Sequence, residues 1–238
     1  MRSSAHKVLI TGGAKGIGLA LARKFHGAGN DVTIVGRDRG ALQSVSKELA
    51  DVTTIQADIT TPQGIDTVAD GAAETSILVN NAGVQYTGEF RASTSEAIDL
   101  EVQTNLLAPL HLVRRFLHAL LGHSEAAIVN VTSILAIVPK QSAPVYCATK
   151  AALRSFSRSL RWQLEGSSVR VFEVVPPVVD TDMTAGRGSG KMRPEAVADE
   201  VWRSYLANKP EILIGKARPA ASIARLLPSL AERIIRQS

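Results

Sequence analysis

The chain is poor in cysteine: Cys147 stands alone in 238 residues, so no disulfide can form within it. A lone thiol fits a reducing compartment, and the cytoplasm is the expected location. Long hydrophobic runs are missing as well. No stretch approaches the ~18 uninterrupted apolar residues of a membrane span. The opening MRSSAHKVLITGG carries only a short apolar run before glycines interrupt it, too little for a secretory leader. Aromatic residues are scarce at 4 %, and acidic residues are outnumbered, 22 against 27 Lys and Arg, for a net charge of +5. The basic residues are scattered with no run of five, so no nucleic-acid surface is expected. The modest positive field suits an anionic cofactor instead. His111 and His118 share a helix face without a carboxylate cluster nearby, so no metal site is expected.

What is present is an alternation of two textures. Short β-branched runs occur at 7–11, 31–36, 52–57, 76–80, 126–133, 169–175 and 211–215. Helical periodicity lies between most of them, longest at about 94–121 and 145–165, with a shorter helix near 195–207. Strands that alternate with helices imply βαβ units and a parallel sheet. The runs lack strict polar alternation, as expected when both sheet faces are covered. The expectation is therefore an α/β chain: one Rossmann-type doubly wound parallel sheet of about seven strands, helices on both faces. No linker divides residues 1–238, so a single domain is expected. The irregular stretch is DTDMTAGRGSGKMRPE, with Gly186, Gly188, Gly190 and Pro194 close together. It predicts a mobile loop near 182–194 at the carboxyl edge of the sheet, free to close over a substrate. Its cations Arg187, Lys191 and Arg193 have no acid near them in sequence before Glu195.

After the first strand comes TGGAKGIG, in which Gly12, Gly16 and Gly18 are the spaced glycines. They stand between a strand and the opening of a helix. Missing side chains let the backbone turn tightly and approach a pyrophosphate, and the helix start offers free N–H groups. The spacing is G-x-x-x-G-x-G. Further on come NNAG at 80–83, Ser133 closing the fifth strand, and PVYCATK, with Tyr146 four residues before Lys150.

This ordered set resembles the short-chain dehydrogenase/reductase family, strongly over about residues 7–181. The stretches AAIVNVTS, PVYCATKAA and VFEVVPPVVDT further resemble its DltE-type members. The resemblance implies oxidoreduction of a carbonyl/alcohol pair with a nicotinamide dinucleotide. Tyr146 would give or take the proton. A free tyrosine ionises near pH 10, and bringing that to about 7 takes roughly 4 kcal/mol. A unit charge at about 4 Å supplies that much at an effective dielectric near 20, and Lys150 lies one helical turn on. By the same resemblance Ser133 would orient the substrate oxygen and Asn105 would complete a proton path through a held water. Lys150 would also hold the nicotinamide ribose. Gly12, Lys15, Gly16, Ile17 and Gly18 would carry the pyrophosphate loop. Asn81, Ala82 and Gly83 would border the adenosine ribose, Asp58 the adenine, and Val179 and Thr181 the carboxamide.

Strand two ends TIVGRDRG. Gly36 stands where an acid would select the ribose hydroxyl of NAD(H), and Arg37 and Lys15 supply cations, so NADP(H) is favoured. Asp38 is expected to neutralise part of Arg37. Pro177 replaces a usual glycine and removes an N–H. Cys147 reads as a packing residue, and Arg154, Arg158 and Arg161 as a solvated or subunit-facing stripe. The small-molecule partner would be a carbonyl or alcohol. A homodimer or homotetramer is expected through the two long helices, with Leu106, Leu107, Leu110, Leu153, Phe156 and Leu160 shared between core and partner. A catalytically silent dinucleotide-binding sensor or scaffold is the alternative. The complete Asn105, Ser133, Tyr146, Lys150 set argues against it.

Overall fold

The computed structural model describes residues 1–186 and 189–236. Arg187 and Gly188, both part of the expected loop, lie outside the described residues. Seven strands form one sheet: β1 (Lys7–Thr11), β2 (Asp31–Gly36), β3 (Thr53–Gln56), β4 (Ile77–Asn80), β5 (Ala126–Val131), β6 (Val169–Val175) and β7 (Glu211–Leu213). Their order is β3-β2-β1-β4-β5-β6-β7, and every pairing is parallel. The order reverses between β1 and β4, which places a crevice outside their carboxyl ends.

The central strands are apolar on both faces because helices cover both. Every residue of β4 and β5 is buried. On one face, α1 (Gly16–Gly27) and α7 (Pro194–Leu206) bring Phe25 edge-on to Trp202 and Tyr205, which stack on each other, and Tyr205 meets Phe172 of β6 at a tilt. On the other, α3 (Pro62–Gly71), α5 (Ala108–Gly122) and α6 (Pro144–Gln163) cover Leu9, Leu78 and Ile128. The helix α2 (Arg39–Glu48) begins at Asp38, whose carboxylate accepts from Ala41 N. Thr61 and Thr94 cap α3 and α4 (Ser95–Val102) in the same way.

One expected helix is two. The stretch read as 94–121 is α4, then a π-helical turn over Gln103–Leu107, then α5. A π-turn widens the helix by one residue per turn and occurs most often at functional sites. The chain ends in α8 (Ala217–Leu226) and α9 (Pro228–Ile235), which bury little besides Ala217 and Ala231. Among the described residues no helix is long and apolar enough to cross a membrane.

Candidate active site

The site grows from the carboxyl ends of β1, β4 and β5. The loop after β1 turns through Gly12 at φ +64° and Gly16 at φ +53°, a region that favours glycine. Its closeness to the loop after β4 explains the other glycine. A Cβ on Gly18 would sit 2.2 Å from the Gly12 carbonyl oxygen and 2.5 Å from Asn81 Nδ2. Thr11 fastens the two loops: its Oγ1 accepts from the N–H groups of Asn81 and Ala82 at 3.0 and 3.1 Å. Asn81 Nδ2 returns the contact by donating to the Thr11 and Gly12 carbonyls at 2.9 and 3.2 Å. Asn80 anchors the turn below, donating to Asn130 Oδ1 at 2.8 Å, while Asn130 donates to Ser157 at 2.9 Å.

The first turn of α1 has Lys15 at its cap position, which supplies no side-chain acceptor. The N–H groups around Gly16, Ile17 and Gly18 are thus left uncapped by any side chain. Thr181 overhangs this loop: a Cβ on Gly16 would stand 2.9 Å from Thr181 Cγ2. Val179 and Asp180 pair with Met192, which pins the segment entering the loop to the segment leaving it.

Ser133 follows β5, and its Oγ accepts from Leu135 N at 3.1 Å. Tyr146 and Lys150 lie one turn apart on α6, 9 % and 4 % exposed. The Lys150 ammonium is 5.6 Å from the centre of the Tyr146 ring and donates to the Val131 carbonyl at 2.9 Å. Burial pushes the lysine down from 10.5 to about 8, against the opposing pull of the Glu101 carboxylate. Asn105 sits in the π-turn, fully buried. Its Oδ1 accepts from Val84 N at 2.9 Å, and its Nδ2 donates to Val84 O at 2.8 Å and to Thr149 Oγ1 at 3.3 Å. Gly83 lies between Asn105 and Lys150, since a Cβ there would be 3.1 Å from Asn105 Oδ1 and 3.6 Å from Lys150 Nζ. Asn105, Gly83, Tyr146 and Lys150 therefore converge.

At the end of β2, Lys15 Nζ is 3.4 Å from Asp38 and 3.9 Å from Asp182. Asp38 thus pairs with Lys15 rather than Arg37, because its carboxylate is turned inward to cap α2. The exposed Arg37 lies near Asp58. Asp58 accepts from the Thr60 N–H and hydroxyl at 3.0 and 2.7 Å. Burial opposes its charge, yet these bonds and Arg37 hold its carboxyl below the usual range.

Three further expectations are corrected. Lys191 is engaged, donating to the Thr184 carbonyl at 2.7 Å and lying 3.4 Å from Asp180, because the chain turns back on itself between these residues. Arg154 is not a solvated stripe residue: it donates at 2.7 Å to Glu173, whose side chain is wholly buried on β6. Arg161 reaches the Val171 and Pro210 carbonyls. Cys147 is buried, with its thiol pushed up by burial, as a packing residue should be. His111 and His118 lie on the exposed face of α5, and among the described residues no three His, Cys, Asp or Glu side chains gather to hold a metal. Glu101 and Thr149 belong to the site and were not singled out from the sequence, while Thr11 stood there only as the first residue of the glycine motif. Only its turn-long spacing from Asn105 hinted at Glu101.

The short chain dehydrogenase family model matches residues 6–191. The chain belongs to this family. It is 42 % identical over 189 residues to the uncharacterized oxidoreductase DltE of Bacillus subtilis, covering 77 % of this chain and 75 % of that one. This likeness makes it a DltE-type member. It is 30 % identical over 202 residues to L-xylulose reductase of Bos taurus, covering 84 % and 83 %. Among solved structures, a short chain dehydrogenase from Burkholderia cenocepacia J2315 in complex with NADP matches with a TM-score of 0.90 at 26 % identity, covering all of both chains. As a short-chain dehydrogenase the chain is an oxidoreductase acting on CH–OH groups. Its crevice fits a nicotinamide dinucleotide. The side-chain-free strip from Gly12 to Gly18 and the uncapped start of α1 suit a pyrophosphate, and Gly83 leaves room beside Lys150.

Proposed function

We propose that the chain is an NADP(H)-dependent oxidoreductase that interconverts a carbonyl and an alcohol, with Tyr146 as general acid and base. The observation that carries this reading is the buried Tyr146–Lys150 pair, with the ammonium 5.6 Å from the phenol ring. At such a distance a unit charge is worth about 3 kcal/mol to a neighbouring anion at an effective dielectric near 20. Lys150 therefore eases proton release from Tyr146 during alcohol oxidation and steadies the phenolate after proton donation during reduction. The bound nicotinamide would supply or accept the hydride. Gly12, Lys15, Gly16, Ile17 and Gly18 would cradle its phosphates. Asn81, Ala82, Gly83 and Asp58 would border the adenosine half, and Val179, Thr181 and Lys150 the nicotinamide half.

Ser133 would donate to the substrate oxygen and hold it in front of the phenol. Asn105, which grips Val84 at both its N–H and its carbonyl, would hold the water that completes the proton path to the tyrosine. Lys15 and the exposed Arg37, both at the carboxyl end of β2, support the preference for a 2′-phosphate. Solved neighbours hold NAD as well as NADP, so the preference rests on these two cations. The single α/β domain would carry its loop 182–194 as a lid. The pairing of Val179 and Asp180 with Met192 ties the two ends of this loop together.

The test is a screen of ketones, aldehydes and secondary alcohols with NADPH, NADH and their oxidised forms. Tyr146→Phe should keep cofactor affinity within a few-fold and lose about 10²–10⁴ in turnover on whichever substrate is found. A Phe variant with near wild-type turnover removes Tyr146 from the chemistry. Hydrogen exchange across 184–191 should slow when cofactor and substrate are both present. Identical exchange in all states leaves a plain connecting loop.

A further inference from the structure

Glu101 is a buried acid that the proposed chemistry leaves without a task. It lies on α4, one helical turn before Asn105, and only 2 % of it is exposed. Acids so deeply buried are rare unless something holds their charge. One of its oxygens accepts from the Tyr86 N–H at 3.2 Å. Asn105 grips Val84 two residues earlier, at both its N–H and its carbonyl. Two side chains one turn apart thus clamp the loop that follows β4. That loop begins at Gly83, and a Cβ there would lie within 4 Å of both Asn105 Oδ1 and Lys150 Nζ. Lys150 itself is 4 % exposed and has the Val131 carbonyl as a neutral acceptor. A carbonyl dipole satisfies a donor but leaves the buried charge without a counter-charge.

We propose that Glu101 is a positioning residue for this site: its carboxylate fixes the 83–86 loop and supplies the buried negative charge that keeps the Lys150 ammonium protonated beside Tyr146. This rests on the reading of Tyr146 and Lys150 as the proton-handling pair. Burial is the larger effect on both, pushing Lys150 down and Glu101 up, and each partner's field opposes it: Glu101 lifts Lys150, and Lys150 lowers Glu101. The other titratable groups facing the pair are Tyr146 and Cys147 on α6, with Lys140 on the preceding loop. The Cys147 thiol is pushed up by burial and stays neutral, and Lys140 acts on the Cys147 side through its backbone N–H and its charge.

The test is nuclear magnetic resonance of the full chain with ¹³C-labelled lysine side chains, the Lys150 signal being assigned by its loss in Lys150→Met. In the wild type Lys150 should titrate at about 8. In Glu101→Gln it should titrate lower by about one pH unit or more. The glutamine oxygen still accepts from Tyr86 N, so a purely structural role would leave the lysine titration unmoved, and that result overturns the proposal. Should Glu101→Gln not fold, the ¹³C carboxyl signal of Glu101 gives the reciprocal reading in wild type and Lys150→Met. Coupling requires its titration to rise when the lysine charge is gone, and an unmoved signal overturns the proposal equally. Activity separates this from the broader reading. If Lys150 shifts in Glu101→Gln while Tyr146→Phe turns over normally, the charge coupling stands and the catalytic assignment falls.

Discussion

Lys150→Met should yield a protein that is more stable than the wild type and inactive. The stability half follows from the lysine's burial. Folding lowers its pKa from 10.5 to about 8, chiefly by removing the ammonium from water. The unfolded chain therefore binds this proton more tightly than the folded one, so stability rises as pH climbs from about 8 to 10.5. Below pH 8 the folded state bears the whole penalty, about 3 kcal/mol for a fall of this size. Methionine keeps the unbranched shape and helix propensity without the charge. It gives up the 2.9 Å bond to the Val131 carbonyl, worth about 1 kcal/mol. The net gain at pH 7 is about 2 kcal/mol, or about 4–8 °C in melting temperature for a chain of this length. Calorimetry of both proteins between pH 7 and 10.5 provides the check. The gap should be widest at pH 7 and narrow once pH passes 8. A variant that melts at or below the wild type at pH 7, or a gap indifferent to pH, refutes the reasoning.

Other outcomes follow from specific contacts. NADP⁺ should bind more tightly than NAD⁺, and Lys15→Ala should weaken NADP⁺ more than NAD⁺ in calorimetric titrations; equal losses would place the 2′-phosphate elsewhere. Arg154→Met strands the buried Glu173 carboxylate and should destabilise by about 3 kcal/mol in urea titration, with most of the loss recovered in the Arg154→Met/Glu173→Met double variant. Light scattering at micromolar concentration should give a dimer or tetramer, because Leu107 and Leu121 on the π-turn and α5, and Trp162 on α6, are 40 %, 44 % and 62 % exposed. A 25.3 kDa particle would count against that assembly.

Much of the sheet could be read in advance because its signal is local. The β-branched runs at 7–11, 31–36 and 169–175 are strands with the same bounds. The runs ending at Ser133 and Gly215 stop short in the structure, at Val131 and Leu213, where the ladder pairing to β6 ends. What was hidden depends on contacts far apart in the chain. The π-turn at Gln103–Leu107 has no periodicity of its own. Asn105 ties it to Val84, a residue 21 positions away. Glu101 reads as an ordinary exposed helix acid until the 83–86 loop folds over it. Arg154 reads as solvated until β6 brings Glu173 beneath it, 19 positions on. Lys191 finds Asp180 and Thr184 only because Met192 pairs with Val178 and Asp180. The closing helices α8 and α9 escaped for a different reason. Each carries an apolar stripe in sequence but lies beyond the part of the chain that the family resemblance covers strongly, and in the structure Leu226, Leu230 and Ile234 stay exposed.

The position of the anomalies carries its own argument. Three departures from local rules meet in one place: α1 starts, as α6, α7, α8 and α9 also do, without a side-chain cap, a helix widens into a π-turn, and a lysine and a glutamate are buried within each other's field. Each departs from what the local sequence alone would favour, and natural chains concentrate such departures at functional sites. Here all three lie outside the carboxyl ends of β1, β4 and β5. That is the side on which open α/β sheets bind their ligands, beside the point where the strand order reverses. The uncapped helix offers N–H groups to an anion. The π-turn aims Asn105 at the turn after β4, and the buried pair sets the charge beside Tyr146. A scaffold that only bound a dinucleotide would need the first of these. The buried ammonium beside a phenol is what the proposed proton transfer would need in addition.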